Sequence, residues 1–203
     1  MTLPMGINRT LAARIVIIAA VCLVMVIIHA AQLLSGGALS AWGLHPRDPA
    51  GLAGIFAAPW IHADVGHLGS NLFGMAVLGG IGVARGVRYF TMASVIIIAV
   101  SGLLLWMFGR DAVHIGASGW IFGLWSLAIA TGWYERDFRS IAISVAVILL
   151  HGGMVFGMLP ITQGVSFEGH IFGAVAGVFA AWLLHGARNR PVQHREPSLK
   201  FWP

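Results

Sequence analysis

The feature that most constrains this chain is a series of long stretches that contain no charged residue. Each stretch is close to 20 residues long, and a helix of about 20 apolar residues crosses the hydrocarbon core of a bilayer. Because lipid offers the backbone no hydrogen-bond partner, an open strand could not cross there, and helices are predicted instead. The six predicted spans are Ile15–Leu34, Leu68–Ala84, Tyr89–Gly109, Ala117–Tyr134, Ser140–Leu159 and Gly169–Gly186.

The composition excludes several other classes of protein. Apolar residues make up 58% of the 203 residues and charged residues only 9%, against about 25% charged residues in soluble domains. The net charge of +5 comes from 12 scattered lysines and arginines, without the basic stripe that nucleic-acid binding requires. A single cysteine, Cys22, rules out a disulfide scaffold. We therefore expect an all-α polytopic protein whose solvent is the lipid bilayer, and no nucleic-acid partner.

The lysines and arginines predict the orientation of the spans. Ten of them fall on the side that holds both termini, and only Arg47 and Arg110 fall on the other. Positive charge accumulates on the cytoplasmic side of membrane proteins. The prediction is a multi-pass protein of the cell membrane, with a cytoplasmic N-terminus over residues 1–14, a six-helix domain over 15–186 and a disordered cytoplasmic tail over 187–203.

The connection over residues 35–66 is unusually long and is apolar. It contains Trp42, Phe56 and Trp60 among other large side chains. Connections of this length are usually functional, and the aromatic content favours a segment that lies in the membrane interface. A passive linker is the alternative.

Polar residues inside a membrane are costly, so each of them is a candidate for function. Three polar clusters fall at the outer edge of the second, fourth and sixth spans, where they can converge. They are His62-Ala-Asp-Val-Gly-His67-Leu-Gly-Ser-Asn71, Gly116-Ala117-Ser118-Gly119 and Glu168-Gly169-His170.

Glycine spacing predicts which of these spans approach each other. Small residues four apart let two helix backbones come close in lipid, and this pattern occurs in spans four and six at Gly119, Gly123, Gly169, Gly173 and Gly177. If these faces pack together, the neighbouring Ser118 hydroxyl and His170 imidazole meet. The alternative is that the glycines only pack the helices and His170 is an ordinary core histidine.

Serine and histidine together can perform nucleophilic catalysis. A serine hydroxyl needs a base to take its proton, and imidazole titrates near working pH. The tetrahedral intermediate needs hydrogen-bond donors, which the Ser118 N–H, the Asn71 amide and the His67 imidazole could supply. Glu168 falls on a different helical face from His170, so we expect a dyad with no acidic third member.

These motifs resemble those of the rhomboid intramembrane serine proteases. The matching elements are His62-xxxx-His67-xxx-Asn71, Gly116-Ala117-Ser118-Gly119 and Gly169-His170-xx-Gly173-xxx-Gly177, in order on spans two, four and six. The resemblance extends over about residues 10–186.

The resemblance implies a role for each of these residues. Ser118 would be the nucleophile and His170 the general base. His67 and Asn71 would stabilise the oxyanion, together with the backbone at Gly116 and Ala117. Phe122 stands where many relatives have tyrosine, and its ring would stack on His170 without offering a hydroxyl. A Trp-Arg pair found in the first loop of some relatives is missing.

The implied function is cleavage of single-span membrane proteins at a site open to the outer side. An inactive relative that binds transmembrane segments, or a small transporter, is the alternative. A His-Glu-x-x-His metalloprotease motif is absent, and no aspartate falls inside a predicted span. Haem ligation would need stacked pairs among four histidines whose depths do not match, namely His29, His151, His170 and His185. We expect neither a metal nor another cofactor.

Overall fold

The computed structural model describes residues 5–162 and 164–186, and every regular element in this part of the chain is helical. The predicted all-helical class is thus confirmed. The α-helices are α1 (Met5–Leu34), α2 (Gly54–Ala57), α3 (Val65–Gly74), α4 (Gly80–Ala84), α5 (Val87–Phe108), α6 (Ser118–Glu135), α7 (Phe138–His151) and α8 (Phe167–Gly186). A π-helical turn, Met75–Gly79, joins α3 to α4, and 3-10 segments occupy Ala38–Trp42, Pro49–Ala53, Ala58–Trp60 and Gly152–Met158.

Five helical stretches in the described part are long and apolar enough to cross a membrane. They are Arg9–Leu34, Val65–Ala84, Val87–Phe108, Phe138–Met158 and Phe167–His185. Helix α6, the predicted fourth span, is not among these stretches, but it lies at the centre of the bundle and has more buried residues than any other helix in the described part of the chain. Because α6 faces protein rather than lipid around most of its surface, it tolerates serine, threonine and glycine. Six spans and their orientation stay a prediction.

Helices α6 and α8 form the tightest pair in the bundle through interleaved glycines. A methyl group added at Gly173 would overlap the carbonyl oxygen of Gly119, and one added at Gly177 would overlap that of Gly123. In the other direction, a methyl group at Gly123 would come within 3.1 Å of the Gly173 carbonyl oxygen. The two backbones are therefore in direct contact along this face, as the spacing predicts.

Helix α7 packs on the opposite side of α6 and is shorter than predicted. The Ser144 hydroxyl lies 2.9 Å from the Ala128 carbonyl oxygen of α6. The sequence predicts a continuous helix to Leu159, but the α-helix ends at His151 and the chain continues as a 3-10 segment. Two consecutive glycines, Gly152 and Gly153, follow this end, and glycine is a poor helix former.

Helix α3 begins three residues earlier than predicted, because Asp64 caps it. The Asp64 carboxylate accepts a hydrogen bond of 2.8 Å from the His67 N–H, which satisfies one of the free donors of the first turn. His67 therefore lies in the first turn of a capped helix, and its backbone is fixed.

The long connection over residues 35–66 is folded into the bundle and is not a passive linker. Leu44 pairs with His114 in an isolated antiparallel bridge, and the Gly116 N–H donates to the Ala58 carbonyl oxygen at 2.9 Å. Ile55 lies against Gly102 of α5. The connection thus supports the loop that leads into α6, while its position in the membrane interface stays a prediction.

The described residues include most of the predicted N-terminal segment but not the predicted C-terminal tail. Helix α1 begins at Met5, so most of the predicted N-terminal segment 1–14 continues the first helix. The predicted disordered tail over 187–203 lies outside the described residues.

We expect Gly173→Ala and Gly177→Ala each to lower the free energy of unfolding by about 1–3 kcal/mol, because the new methyl group meets backbone atoms that cannot move aside. Thermal unfolding in detergent measures this effect. Gly80→Ala is the matched control, since open space surrounds a methyl group there and alanine is the better helix former. Equal stability of all three variants would contradict the interleaved packing.

Candidate active site

Ser118 is the first residue of α6, at the end of a tightly constrained loop. Gly116 has φ of +111°, a conformation that residues with a side chain rarely adopt. The His67 imidazole occupies the space where a side chain at position 116 would lie. Glycine is therefore required here, and it brings the first polar cluster against the second.

Ser118 and His170 form a direct hydrogen bond. The distance from the Ser118 Oγ to the His170 Nε2 is 2.8 Å. On the other side of the ring, the His170 Nδ1 lies 2.7 Å from the Gly157 carbonyl oxygen. Because a carbonyl oxygen only accepts, Nδ1 carries the proton in the neutral ring, and Nε2 accepts from the serine hydroxyl. A backbone carbonyl thus selects the tautomer that a general base needs.

The plane of the His170 ring is held by Phe122. The two rings stack with centroids 4.1 Å apart and an angle of 7° between their planes. Phe122 lies one helical turn after Ser118, so one face of α6 supplies both the hydroxyl and the stacking ring. Gly157 packs against the edge of the phenyl ring. The imidazole is therefore fixed on its face by Phe122 and at Nδ1 by Gly157.

The start of α8 is tied to the loop that precedes Ser118. The Gly169 N–H donates to the Ser166 hydroxyl at 3.2 Å, so Ser166 caps the helix. The same hydroxyl lies 2.7 Å from the Nδ1 of the buried His114. The His114 Nε2 in turn lies 3.2 Å from the Arg110 carbonyl oxygen. This chain connects the N-termini of the two helices that carry Ser118 and His170.

Glu168 is directed away from His170. Its carboxylate pairs with Arg110 at 3.7 Å, and the Arg110 guanidinium also donates to the Val165 carbonyl oxygen at 2.5 Å. Within residues 5–162 and 164–186, no carboxylate is hydrogen-bonded to His170. The geometry is thus that of a two-residue arrangement completed by a backbone carbonyl.

The structure does not bring Asn71 into direct contact with Ser118 by a hydrogen bond. Its buried amide donates to the His67 carbonyl oxygen at 2.7 Å and makes no hydrogen bond to Ser118 in the described part of the chain. The His67 ring lies at Gly116, two residues before Ser118. The assignment of His67 and Asn71 as oxyanion donors therefore stays a prediction.

A small cavity of about 50 Å³ lies beside the serine. Its lining includes the polar residues Ser101, His114, Ser118 and Ser166. A water molecule needs about 10–15 Å³ of such volume and two or more polar partners. The cavity therefore has room and hydrogen-bonding groups for water next to Ser118.

Three contributors to this site were not identified from the sequence. The Gly157 carbonyl has no sequence signal, because every residue has a carbonyl group. Ser166 could have been found, since serine directly before an apolar helical run is a typical N-cap. His114 has no sequence signal that links it to Ser166, which lies 52 residues away in the chain, yet it is buried and bonded at both ring nitrogens.

The histidines considered for cofactor binding are largely engaged with protein. Both ring nitrogens of His170 are bonded to Ser118 and Gly157, and the His185 Nε2 lies 3.2 Å from the Tyr89 hydroxyl. In the described residues, no three His, Cys, Asp or Glu side chains are grouped so as to hold a metal ion.

His62 is fully buried beside His67, with the two ring centroids 5.2 Å apart. Among the described residues, no hydrogen bond of ordinary geometry reaches either ring nitrogen of His62, although the nearby Trp60 backbone favours the protonated ring. Burial, with a smaller contribution from His67, lowers the pKa of His62 from 6.5 to about 4. The ring is therefore neutral at pH 7.

This lowered pKa predicts acid sensitivity. Between about pH 4 and 6.5 the folded protein binds fewer protons than the unfolded chain, so stability is full above pH 6.5 and falls as the pH drops towards 4. The loss in the free energy of unfolding attributable to His62 is about 3 kcal/mol at pH 4. We expect His62→Phe to flatten the dependence of thermal stability on pH in this window. An unchanged slope would exclude His62 as its source.

Comparison with known proteins identifies the family. A family model of the Rhomboid domain matches residues 49–187. An uncharacterized protein of Mycobacterium tuberculosis is 37% identical over 166 residues, which cover 77% of this chain and 69% of that protein. The Rhomboid-like protein 11, chloroplastic, of Arabidopsis thaliana is 28% identical over 142 residues, 63% of this chain and 50% of that protein. The chain belongs to the rhomboid family of membrane proteins.

Proposed function

We propose that this protein is an intramembrane serine protease that uses Ser118 and His170 as a catalytic dyad. The observation that carries the proposal is the 2.8 Å hydrogen bond between the Ser118 Oγ and the His170 Nε2, in a ring whose other nitrogen donates to Gly157. The serine hydroxyl, the imidazole and the carbonyl oxygen that orients the imidazole then form one hydrogen-bonded chain, as activation of a serine requires.

The first half of the reaction forms an acyl-enzyme. The Ser118 Oγ attacks the carbonyl carbon of the scissile peptide while its proton passes to the His170 Nε2. The tetrahedral intermediate collapses when the C–N bond breaks and Nε2 returns the proton to the leaving amine. During this step the imidazolium is stabilised by the Gly157 carbonyl oxygen, which accepts from Nδ1 throughout.

The second half releases the product. A water molecule gives its proton to the His170 Nε2, and its oxygen attacks the ester carbonyl carbon. The C–O bond to Ser118 then breaks, and the hydroxyl regains the proton. The polar cavity next to Ser118 is the nearest source for this water, since the hydrocarbon core of a bilayer supplies almost none.

The negative charge on the substrate oxygen needs donors in both halves. The Ser118 N–H belongs to the first residue of α6, where the free N–H groups and the helix dipole favour an anion. His67 and Asn71 supply side-chain donors from the neighbouring α3. For the Asn71 amide this requires that it leave the His67 carbonyl when substrate binds. Hydrogen bonds of this kind commonly tighten only in the complex.

Substrate chemistry follows from the membrane setting. A transmembrane helix cannot expose its scissile carbonyl while its backbone is paired from residue i to i−4. It must unwind locally, and the polar groups around Ser118 then satisfy the freed N–H and C=O groups. The substrates are single-span membrane proteins, cut near the outer end of the span on the side that the arginine distribution assigns to the exterior.

We expect Ser118→Ala and His170→Ala each to reduce proteolysis of single-span reporter proteins by at least about 10³-fold, because either residue alone leaves no activated nucleophile. A serine-directed fluorophosphonate should label the wild-type protein and fail to label Ser118→Ala. Labelling is read from a gel and does not require that the substrate be known.

Ser35→Ala is the control, since this serine lies on the same side of the protein and, among the described residues, its hydroxyl bonds only to the Gln32 carbonyl oxygen near the end of α1. It should retain both labelling and cleavage. Cleavage by Ser118→Ala at the wild-type rate would exclude the dyad. A wild-type protein that binds transmembrane segments but is neither labelled nor active would instead be an inactive family member.

Cleavage should occur at a small residue followed by helix breakers near the outer end of the substrate span. Glycine costs about 1 kcal/mol relative to alanine in a helix and proline about 3 kcal/mol, so such residues ease local unwinding. Mass spectrometry of the product termini locates the cut. Replacing the breakers by leucine is expected to slow cleavage, and cuts that cluster at the cytoplasmic end would contradict this mechanism.

A further inference from the structure

A second polar cleft, of about 730 Å³, lies at the opposite end of the bundle from Ser118. It is bounded by the N-terminal third of α1, the end of α4, the turn between α6 and α7, and the end of α8. Three arginines contributed by different segments line it, namely Arg14, Arg85 and Arg139. The proposed proteolytic chemistry makes no use of this cleft.

The two acidic side chains in the cleft are already committed to the protein. Glu135 pairs with Arg85, accepts a 2.6 Å hydrogen bond from the Ser140 hydroxyl and lies 3.1 Å from the His185 Nδ1. Asp137 caps α7 by accepting from the Ser140 N–H at 3.1 Å. Arg85 and Glu135 therefore neutralise each other at the floor of the cleft.

Positive charge is left over. Neither Arg14 nor Arg139 has a hydrogen-bond or ion-pair partner in the part of the chain that the structure describes. The Nε of Arg85 is also buried there without a partner. Arg139 lies in the first turn of α7, where the helix dipole disfavours a cation. An anion between Arg14 and Arg139 would compensate the positive charge of these two arginines.

Deeper in the bundle than the arginines, the wall of the cleft is apolar. Ile81 precedes Arg85 by four residues and Ile143 follows Arg139 by four, so each lies one helical turn, about 5 Å, deeper in the bundle than the arginine on its own segment. Ala84 completes this wall. A ligand that fills the cleft has an anionic end at the arginines and a hydrocarbon part between α4 and α7.

We propose that the cleft binds one anionic phospholipid, with its phosphate between Arg14 and Arg139 and the start of an acyl chain between Ile81 and Ile143. Basic pockets between helices at the cytoplasmic face recognise such headgroups, and guanidinium groups bind phosphate oxygens in a bidentate manner. The bound lipid joins α1, α4 and α7, and it does so whether or not the protein is a protease.

Native mass spectrometry of the purified protein tests this assignment. Phosphatidylglycerol and phosphatidylcholine with identical acyl chains are titrated separately in detergent. We expect a one-to-one phosphatidylglycerol adduct, formed at least about fivefold more tightly than that of phosphatidylcholine. The double variant R14Q/R139Q should weaken phosphatidylglycerol binding by about tenfold. If this variant does not fold, the exposed Arg139 is changed alone, and R139Q should weaken binding at least about threefold.

The matched control is R9Q/R88Q, which removes two arginines at the same end of the bundle that do not line the cleft. It should bind phosphatidylglycerol like the wild type. Equal losses of phosphatidylglycerol affinity in both double variants would mean that binding depends only on net charge, and this would overturn the proposed site. Equal affinity for the two lipids would overturn it as well. Displacement of the lipid by glycerol 3-phosphate at similar concentration would assign the arginines to a soluble phosphate ester instead.

Discussion

The backbone contact between α6 and α8 is the constraint on which the rest of the structure depends. Gly119 and Gly123 interleave with Gly173 and Gly177 so closely that no side chain fits between the helices. Because Ser118 directly precedes one glycine of this face and His170 directly follows Gly169, the approach of the backbones sets the distance between their side chains. In lipid there is little hydrophobic force between helices, so this close packing has to supply much of their association.

Close helices alone would not orient the imidazole, and two further sets of contacts do so. Phe122 and Gly157 fix the ring plane and the tautomer of His170. The Ser166 hydroxyl, bonded to His114, ties the start of α8 to the loop before Ser118. None of these residues has to touch a substrate. They nevertheless determine whether the serine and the histidine meet in a usable geometry.

The central position of α6 also explains an apparent conflict between composition and fold. A span that faces lipid must be apolar around its whole circumference, as α1 is along most of its length. Helix α6 is enclosed by its neighbours and can carry Ser126, whose hydroxyl bonds to the Ala174 carbonyl oxygen at 2.7 Å, and Thr131, which bonds within its own helix. The helix that holds Ser118 is therefore the one that hydropathy identifies least well.

The sequence by itself determined the helical class, the approximate extent of the long helices and the glycine face, because absence of charge and small-residue spacing act locally along one helix. It also placed Ser118 and His170 on adjoining faces. Only the tertiary structure decided that the Gly157 carbonyl accepts from His170 and that Arg14 and Arg139 share a cleft. These features join segments far apart in the chain, and one of them uses a backbone group that every residue has. No local pattern of side chains can specify them.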